Sequence, residues 1–361
     1  MMPVADAQGQ LPLPWLAAPL GEVLTRMHAQ ARGHATLVHG AAGVGALEFV
    51  LALAQALLCE SATPAVTPCG RCGSCKLVQS GLHPDLFVLL PETLRRETGW
   101  LVADDKAEGE DLKRKPSRQI RITEVRTLID WSHKTSARGR GKVVVLHPAD
   151  TMNYQSASAL LKTLEEPPAG TRLLLTTADP AHLLPTVRSR CQSVALLPPE
   201  PGAASTWLAG QGVAQAEVLL AACNGRPLEA LALARSGVDA AAWTALPAAV
   251  ARGNATAVAG WAPPLLVDAL QKLCHDAMAM AVGGAGRYFP VASLGQPANL
   301  AALLDWATEL ARVARHADHP WSEALLADAL IQQGRQALAP ARPGGTARLP
   351  AAGQGFATLS R

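Results

Sequence analysis

Up to about residue 200 the apolar residues come in short runs, each too brief for a helix and closed by turn-forming residues. Such runs are Ala35–His39, Asp85–Leu90, Lys142–Leu146, Arg172–Thr177 and Ser193–Leu197, and each predicts a buried strand. Between them, stretches 46–58, 122–133 and 155–164 carry apolar residues at helical spacing. Strands that are apolar throughout, alternating with helices, predict a parallel sheet covered by helices on both faces. After Pro198-Pro199-Glu200-Pro201 the strand pattern stops, and helix follows helix to about residue 337.

This rhythm divides the chain into a loose leader (1–12), an α/β domain (13–198), a small helical domain (199–236) and a second helical domain (237–337). Trp15 is expected to begin the packed structure. Residues 338–361, rich in Ala, Pro and Gly, read as a disordered tail. One stretch interrupts the α/β pattern. From 92 to 118 about half the residues are charged, both signs are mixed and no apolar face repeats, which predicts a solvated, mobile insertion.

Composition narrows the function more than the fold. A chain of 361 residues exceeds one compact core. Aromatic residues make up only 4%, so the cores rest on Leu, Ala and Val. A formal charge of +3 is too small for a protein that grips nucleic acid by itself, so weak or no DNA binding alone is expected. No apolar run approaches the roughly 20 residues that span a bilayer, and the first ten residues lack a secretory pattern. Seven cysteines, four of them clustered, fit a reducing cytoplasm and a metal site better than disulfides.

Between the first strand and the first of those helices lies Gly40-Ala41-Ala42-Gly43-Val44-Gly45-Ala46-Leu47. The spacing Gly40 to Gly45, between strand and helix, is that of a phosphate-binding loop, whose backbone N–H groups cradle phosphates. Its two chemical positions have changed. Ala46 stands where a lysine would neutralise the β- and γ-phosphates, and Leu47 where a hydroxyl would hold Mg²⁺. A Gly-rich turn alone would not decide the matter. A second position does: the strand 142–146 ends in His147-Pro148 instead of the acids that bind Mg²⁺ in an ATPase. Both halves of the site have lost their catalytic groups, so ATP is not expected to bind productively.

Cys69-Gly70-Arg71-Cys72-Gly73-Ser74-Cys75, with Cys59 upstream, supplies four thiolates at knuckle spacing, enough for a closed tetrahedral zinc site. A closed shell leaves no position for substrate, so the ion is structural. An iron–sulfur cluster is the rival, but Lys76 replaces the Pro that follows the last cysteine in ferredoxins. His83 is an alternative fourth ligand.

Further landmarks run in order along the chain: Pro14-Trp15-Leu16, Arg32-Gly33-His34-Ala35, Gly81-Leu82-His83-Pro84-Asp85 and Lys142-Val143-Val144. The most specific are Ala159-Leu160-Leu161-Lys162-Thr163-Leu164-Glu165-Glu166-Pro167-Pro168 and Arg188-Ser189-Arg190-Cys191. Together they resemble the delta-prime family of DNA polymerase III, in the bacterial clamp-loader branch of the AAA+ proteins. The resemblance is strong over residues 12–200. Beyond that it rests on length and helical character.

The resemblance implies a RecA-like AAA+ domain carrying the zinc module at 59–75, a helical lid and a helical collar. It also implies a subunit of a DNA-directed DNA polymerase holoenzyme, itself without a catalytic site. Its partners would be gamma/tau and delta subunits in a five-membered ring that loads the sliding clamp onto primed DNA. Arg190, flanked by Ser189 and Cys191, would reach a neighbour's ATP, although residue type alone favours a surface ion pair. Two other functions compete: an ATP-hydrolysing motor of the gamma/tau type, and a zinc-ribbon DNA-binding protein. The long insertion, His147-Pro148 and the tail depart from the family pattern.

Overall fold

The computed structural model describes residues 4–6, 9–29, 34–61, 68–100, 115–295, 299–316 and 322–339. Five strands, β1 (Ala35–His39), β2 (Leu86–Leu89), β3 (Lys142–Leu146), β4 (Thr171–Thr177) and β5 (Gln192–Ala195), form one parallel sheet in the order β2-β3-β4-β1-β5. The helices that accompany it are α1 (Ala17–Ala29), α2 (Ala46–Leu58), α3 (Gly73–Gln79), α4 (Glu92–Thr98), α5 (Ile122–Ser132), α6 (Tyr154–Glu165) and α7 (Pro185–Arg188). This is the RecA-like α/β architecture expected from the alternation of strand and helix patterns.

Side chains alternate across the sheet with the period of two that a strand imposes. Val143 and Val145 of β3, Leu174 of β4 and Val38 of β1 enter one apolar cluster with α2. Val144, Leu146, Leu173, Leu175 and Leu37 enter the other, with α5 and α6. Helix α2 is buried along nearly its whole length, from Phe49 to Ala54, as its apolar composition demands. At about 25 cal/mol per Å² of apolar surface, these two layers supply the main stabilisation of the α/β region.

The chain divides into two compact units. The first takes in residues 1–216 and 225–235, so it includes α8 (Pro201–Gly210) and α10 (Pro227–Arg235) as well as the sheet. The second takes in 217–224 and 236–361; α9 (Ala216–Ala222) belongs to it in all but its first residue. Its main helices are α11 (Ala240–Arg252), α12 (Pro263–Ala281), α13 (Leu300–Ala314) and α14 (Glu323–Ala337). Trp243 is fully buried there, stacked on Phe289 with 4.8 Å between ring centres, and Trp306 is buried as well. Trp207, by contrast, belongs to the first unit, where it meets Trp15 edge-on and donates to the Pro12 carbonyl at 3.1 Å. Trp321 lies outside the described residues. Among the described residues no helix is long and apolar enough to cross a membrane.

Two expectations need correction. Val4 and Ala5, read as part of a loose leader, are buried. The Ala5 N–H donates to Gln55 Oε1 at 2.9 Å, and its carbonyl accepts from Gln55 Nε2 and Gln79 Nε2 at 3.2 and 2.9 Å. A buried glutamine on an apolar helix needs such partners, and the leader provides them. The charged stretch 92–118 is also not uniformly solvated: Glu92–Thr98 is helical and Trp100 is buried. Its charges pair within the fold, Arg95 with Glu124 at 3.1 Å and Glu92 with Arg96 and Arg121 at 2.6 and 3.1 Å. Mixed signs therefore mark a paired segment here. Residues 101–114, and 340–361 of the expected tail, lie outside the described residues.

Candidate functional site

The glycine-rich loop follows β1 and opens α2, with Gly45 in a left-handed conformation at φ +106°. A Cβ on Gly45 would also lie 2.4 Å from Leu13 Cδ1, so a larger residue would strain the backbone and push the Leu13 side chain aside. Leu13 and Leu16 pack in the same apolar cluster as Val44 and Leu47. Leu47 is thus a core residue at the position where an ATPase shows a hydroxyl. The Trp15 indole donates to the Val44 carbonyl at 2.9 Å, and the Leu228 N–H of α10 donates to the Gly43 carbonyl at 3.1 Å. The loop is held by apolar and backbone contacts, and Ala46 brings it no charge.

At the end of β3, His147 Nδ1 shares a 2.6 Å hydrogen bond with Thr176 Oγ1 of β4. Burial pushes the imidazole down to about 4, so the ring is neutral where a metal-binding carboxylate would be expected. Thr177 turns back on its own strand end, where its hydroxyl donates to the Asp179 carbonyl at 3.0 Å.

Arg190 follows the short helix α7. Its Nε donates to Glu165 Oε1 at 2.6 Å, its Nη2 donates to the same oxygen, and its Nη1 donates to the Thr186 carbonyl at 2.8 Å. Glu165 is the last residue of α6, just ahead of Pro167-Pro168, where a negative charge opposes the helix dipole. Arg190 offsets that charge. The surface ion pair expected from residue type is therefore present, and both partners remain partly exposed. The thiol of Cys191 is pushed up to about 11 by burial, which makes it a packing residue and not a nucleophile.

The four cysteines converge. All four Sγ atoms of Cys59, Cys69, Cys72 and Cys75 lie within 4.8 Å of one another, with Cys59–Cys72 and Cys69–Cys75 both at 3.9 Å. A tetrahedral ion with bonds of about 2.3 Å to sulfur needs edges of about 3.8 Å, so the cluster fits one metal ion. The knuckle is formed by N–H donors: Cys72 N to Cys69 Sγ at 3.4 Å, and Cys75 N to Cys72 Sγ at 3.3 Å. Burial opposes ionisation of Cys69, but the N–H groups of Arg71 and Cys72 outweigh it and hold the thiol near 6. Burial raises Cys59 and Cys75, so these two stay protonated thiols unless a cation joins the cluster.

His83 is not a fourth ligand. Its Nε2 meets Ser74 Oγ at 3.1 Å and its Nδ1 accepts from the Asp85 N–H at 3.0 Å, so both ring nitrogens are engaged.

Residues that sequence reasoning missed surround this cluster. Glu60 accepts from Ser74 Oγ at 3.0 Å and pairs with Arg138 at 2.6 Å. Arg140 donates to the Cys59 carbonyl at 2.6 Å. Asp85 accepts from Ser136 Oγ and from the N–H groups of Ala137 and Arg138 at 2.9, 2.7 and 2.8 Å, which fixes the loop carrying both arginines. The sequence signals were Asp85 closing the landmark at 81–85, Ser74 within the cysteine run, Glu60 beside Cys59 and the arginines set between glycines at 138–141.

Residues 19–200 match the family model described as DNA polymerase III, delta subunit, which takes in half of the chain. The chain is 41% identical over 211 residues to the delta-prime subunit of DNA polymerase III from Pseudomonas aeruginosa, an alignment covering 57% of each protein. It is 31% identical over 309 residues to the delta-prime subunit from Escherichia coli, covering 81% of this chain and 86% of that one. It is also 34% identical over 171 residues to the tau subunit from Salmonella typhimurium, but this covers 47% of the chain and only 22% of tau. The longest of these alignments runs well past the sheet into the helical half. With a RecA-like sheet, a glycine-rich loop between β1 and α2 and a four-cysteine knuckle on one chain, the protein belongs to the delta-prime family of DNA polymerase III subunits.

Proposed function

We propose that this chain is the non-hydrolysing member of a clamp loader, in a ring of five with gamma/tau-type and delta-type subunits. It helps to load the sliding clamp onto primed DNA, and it lends Arg190 to ATP bound on a neighbouring subunit. Residues 199–236 serve as the lid and 237–337 as the collar. One structural zinc occupies Cys59, Cys69, Cys72 and Cys75, a site whose closed shell has no room for substrate.

The observation that carries this reading is a split within one chain. The phosphate loop has Ala46 and Leu47 in place of lysine and hydroxyl, and neutral His147 follows β3, yet Ser189-Arg190-Cys191 is intact. Without a nucleotide of its own to serve, the arginine acts on another subunit's. Guanidinium suits that task, being permanently charged and able to place two donors on phosphate oxygens.

The test is a reconstituted loader carrying Arg190→Ala. Assembly and metal content should stay intact, while ATP hydrolysis stimulated by clamp and primed DNA falls. A trans-acting arginine is worth roughly 10³–10⁵ at a single site, but only one of several sites is affected, so the whole-complex loss is smaller. Arg190→Lys should rescue poorly, because a point charge cannot form the two-donor contact. Unchanged stimulated rates in an assembled complex would sink the reading. Hydrolysis by the unmodified isolated chain would favour a gamma/tau-type motor instead.

A further inference from the structure

Every nitrogen of the Arg190 guanidinium is engaged within its own chain. Nε and Nη2 share Glu165 Oε1, and Nη1 donates to the Thr186 carbonyl and, at 3.4 Å, to Ser189 Oγ. The Nε–Nη2 edge is the fork that would grip a phosphate with two parallel bonds, and a carboxylate already fills it. An incoming γ-phosphate would meet that carboxylate's negative charge as well as an occupied donor edge. Arg190 can offer this two-donor fork to a neighbour's nucleotide only by leaving Glu165.

We propose that Glu165 is a latch: it holds Arg190 against α6 until the γ-phosphate of a neighbouring subunit takes its place. The inference rests on the trans-acting role of Arg190 argued above. Two features make the latch releasable. The side chains of Arg190 and Glu165 are 32% and 47% exposed, so water and salt weaken their attraction. Glu165 also ends α6, where the helix dipole disfavours a carboxylate. A phosphate carrying more charge, and no opposing dipole, competes well for the same fork.

The latch and the arginine are tied to the fold by different elements. Glu165 sits at the end of α6 before the rigid Pro167-Pro168, whereas Arg190 follows α7 and is anchored by Thr186. Small shifts between α6 and α7 therefore change the reach of the pair without moving either backbone far. Release sets the threshold for hydrolysis, and Glu165 makes no contact with the reacting atoms.

The experiment compares reconstituted loaders carrying Glu165→Gln, Arg190→Ala and both. Glutamine keeps size and one acceptor but removes the charge. Hydrolysis without clamp or DNA should rise by about two- to fivefold in Glu165→Gln, the scale of one exposed ion pair, through a lower KM for ATP. The clamp- and DNA-stimulated kcat should be unchanged. Raising salt from 50 to roughly 300 mM should lift the basal rate of the unmodified loader relative to Glu165→Gln, because screening of the Arg190–phosphate contact is common to both and only the unmodified loader has a charged latch to weaken. The double variant should lose the gain entirely.

An unchanged basal rate in Glu165→Gln, beside a clear defect in Arg190→Ala, would overturn the latch and leave the arginine's role standing. A raised basal rate that persists in the double variant would also overturn it, since the effect would not pass through Arg190. If Arg190→Ala itself changes nothing, the underlying role fails first.

Discussion

His147 lies between β3 and β4 as a neutral ring bonded to Thr176, and burial holds its pKa near 4. An ordinary histidine titrates near 6.5, so the unfolded chain binds this proton more readily than the folded one. Stability from His147 is therefore complete above pH 6.5 and is lost as pH falls through the window from about 6.5 to 4. At pH 5 the loss attributable to this ring is about 2 kcal/mol. Urea unfolding at pH 7.5 and pH 5 checks it: His147→Gln should show a markedly smaller drop between the two. An identical drop in both proteins would assign the acid sensitivity elsewhere, for instance to His83, whose pKa burial also lowers. Restoring a lysine at position 46 should not restore hydrolysis, since a neutral ring and not an acid follows β3.

At the scale of elements, the loop between α5 and β3 works as a clamp on the cysteine knuckle. Asp85 sits just before β2, and burial opposes its charge. Hydrogen bonds from the backbone of Ala137 and Arg138 and from Ser136 more than compensate, holding the carboxyl below its usual range. That loop then aims Arg138 at Glu60 and Arg140 at the Cys59 carbonyl. Asp85→Asn keeps the shape but removes the charge that three donors converge on, at a cost of about 1.5–3 kcal/mol. It should also speed metal transfer from the four cysteines to a chromogenic chelator, because the clamp loosens. Loss of stability with unchanged metal release would separate Asp85 from the knuckle. The pairing of 92–98 with Arg121 and Glu124 belongs to this scale too: a helix with no apolar face is held by ion pairs made across sequence distances no local pattern reports.

For the whole molecule, two compact units predict an unequal response to metal removal. An ion bound only by the folded state stabilises the unit that contains it by mass action. Chelation should therefore raise hydrogen exchange in α2, which leads into Cys59, and in α3, which contains Cys75, while α12 and α13 of the second unit keep their protection. Exchange measured by mass spectrometry on peptides from 46–58, 73–79, 263–281 and 300–314 distinguishes the cases. A uniform rise over both units would mean that the metal supports the entire chain.

Much of the architecture was determined by the sequence alone. The strand β3 was readable to the residue, and β1 likewise, because an all-apolar run between turn formers has few other uses in a parallel sheet. Cys69, Cys72 and Cys75 were readable because knuckle spacing is local, whereas only the fold decided for Cys59 over His83 as their fourth companion. What tertiary structure alone decided are partnerships between residues far apart in the chain. Gln55 with Ala5, Asp85 with the 136–138 loop and Arg190 with Glu165 all depend on where β-strands and helices meet. Periodicity says which face of an element is buried, but a polar group's partner is selected by three-dimensional proximity. A buried or crowded donor must find its acceptor wherever the fold brings one within about 3 Å.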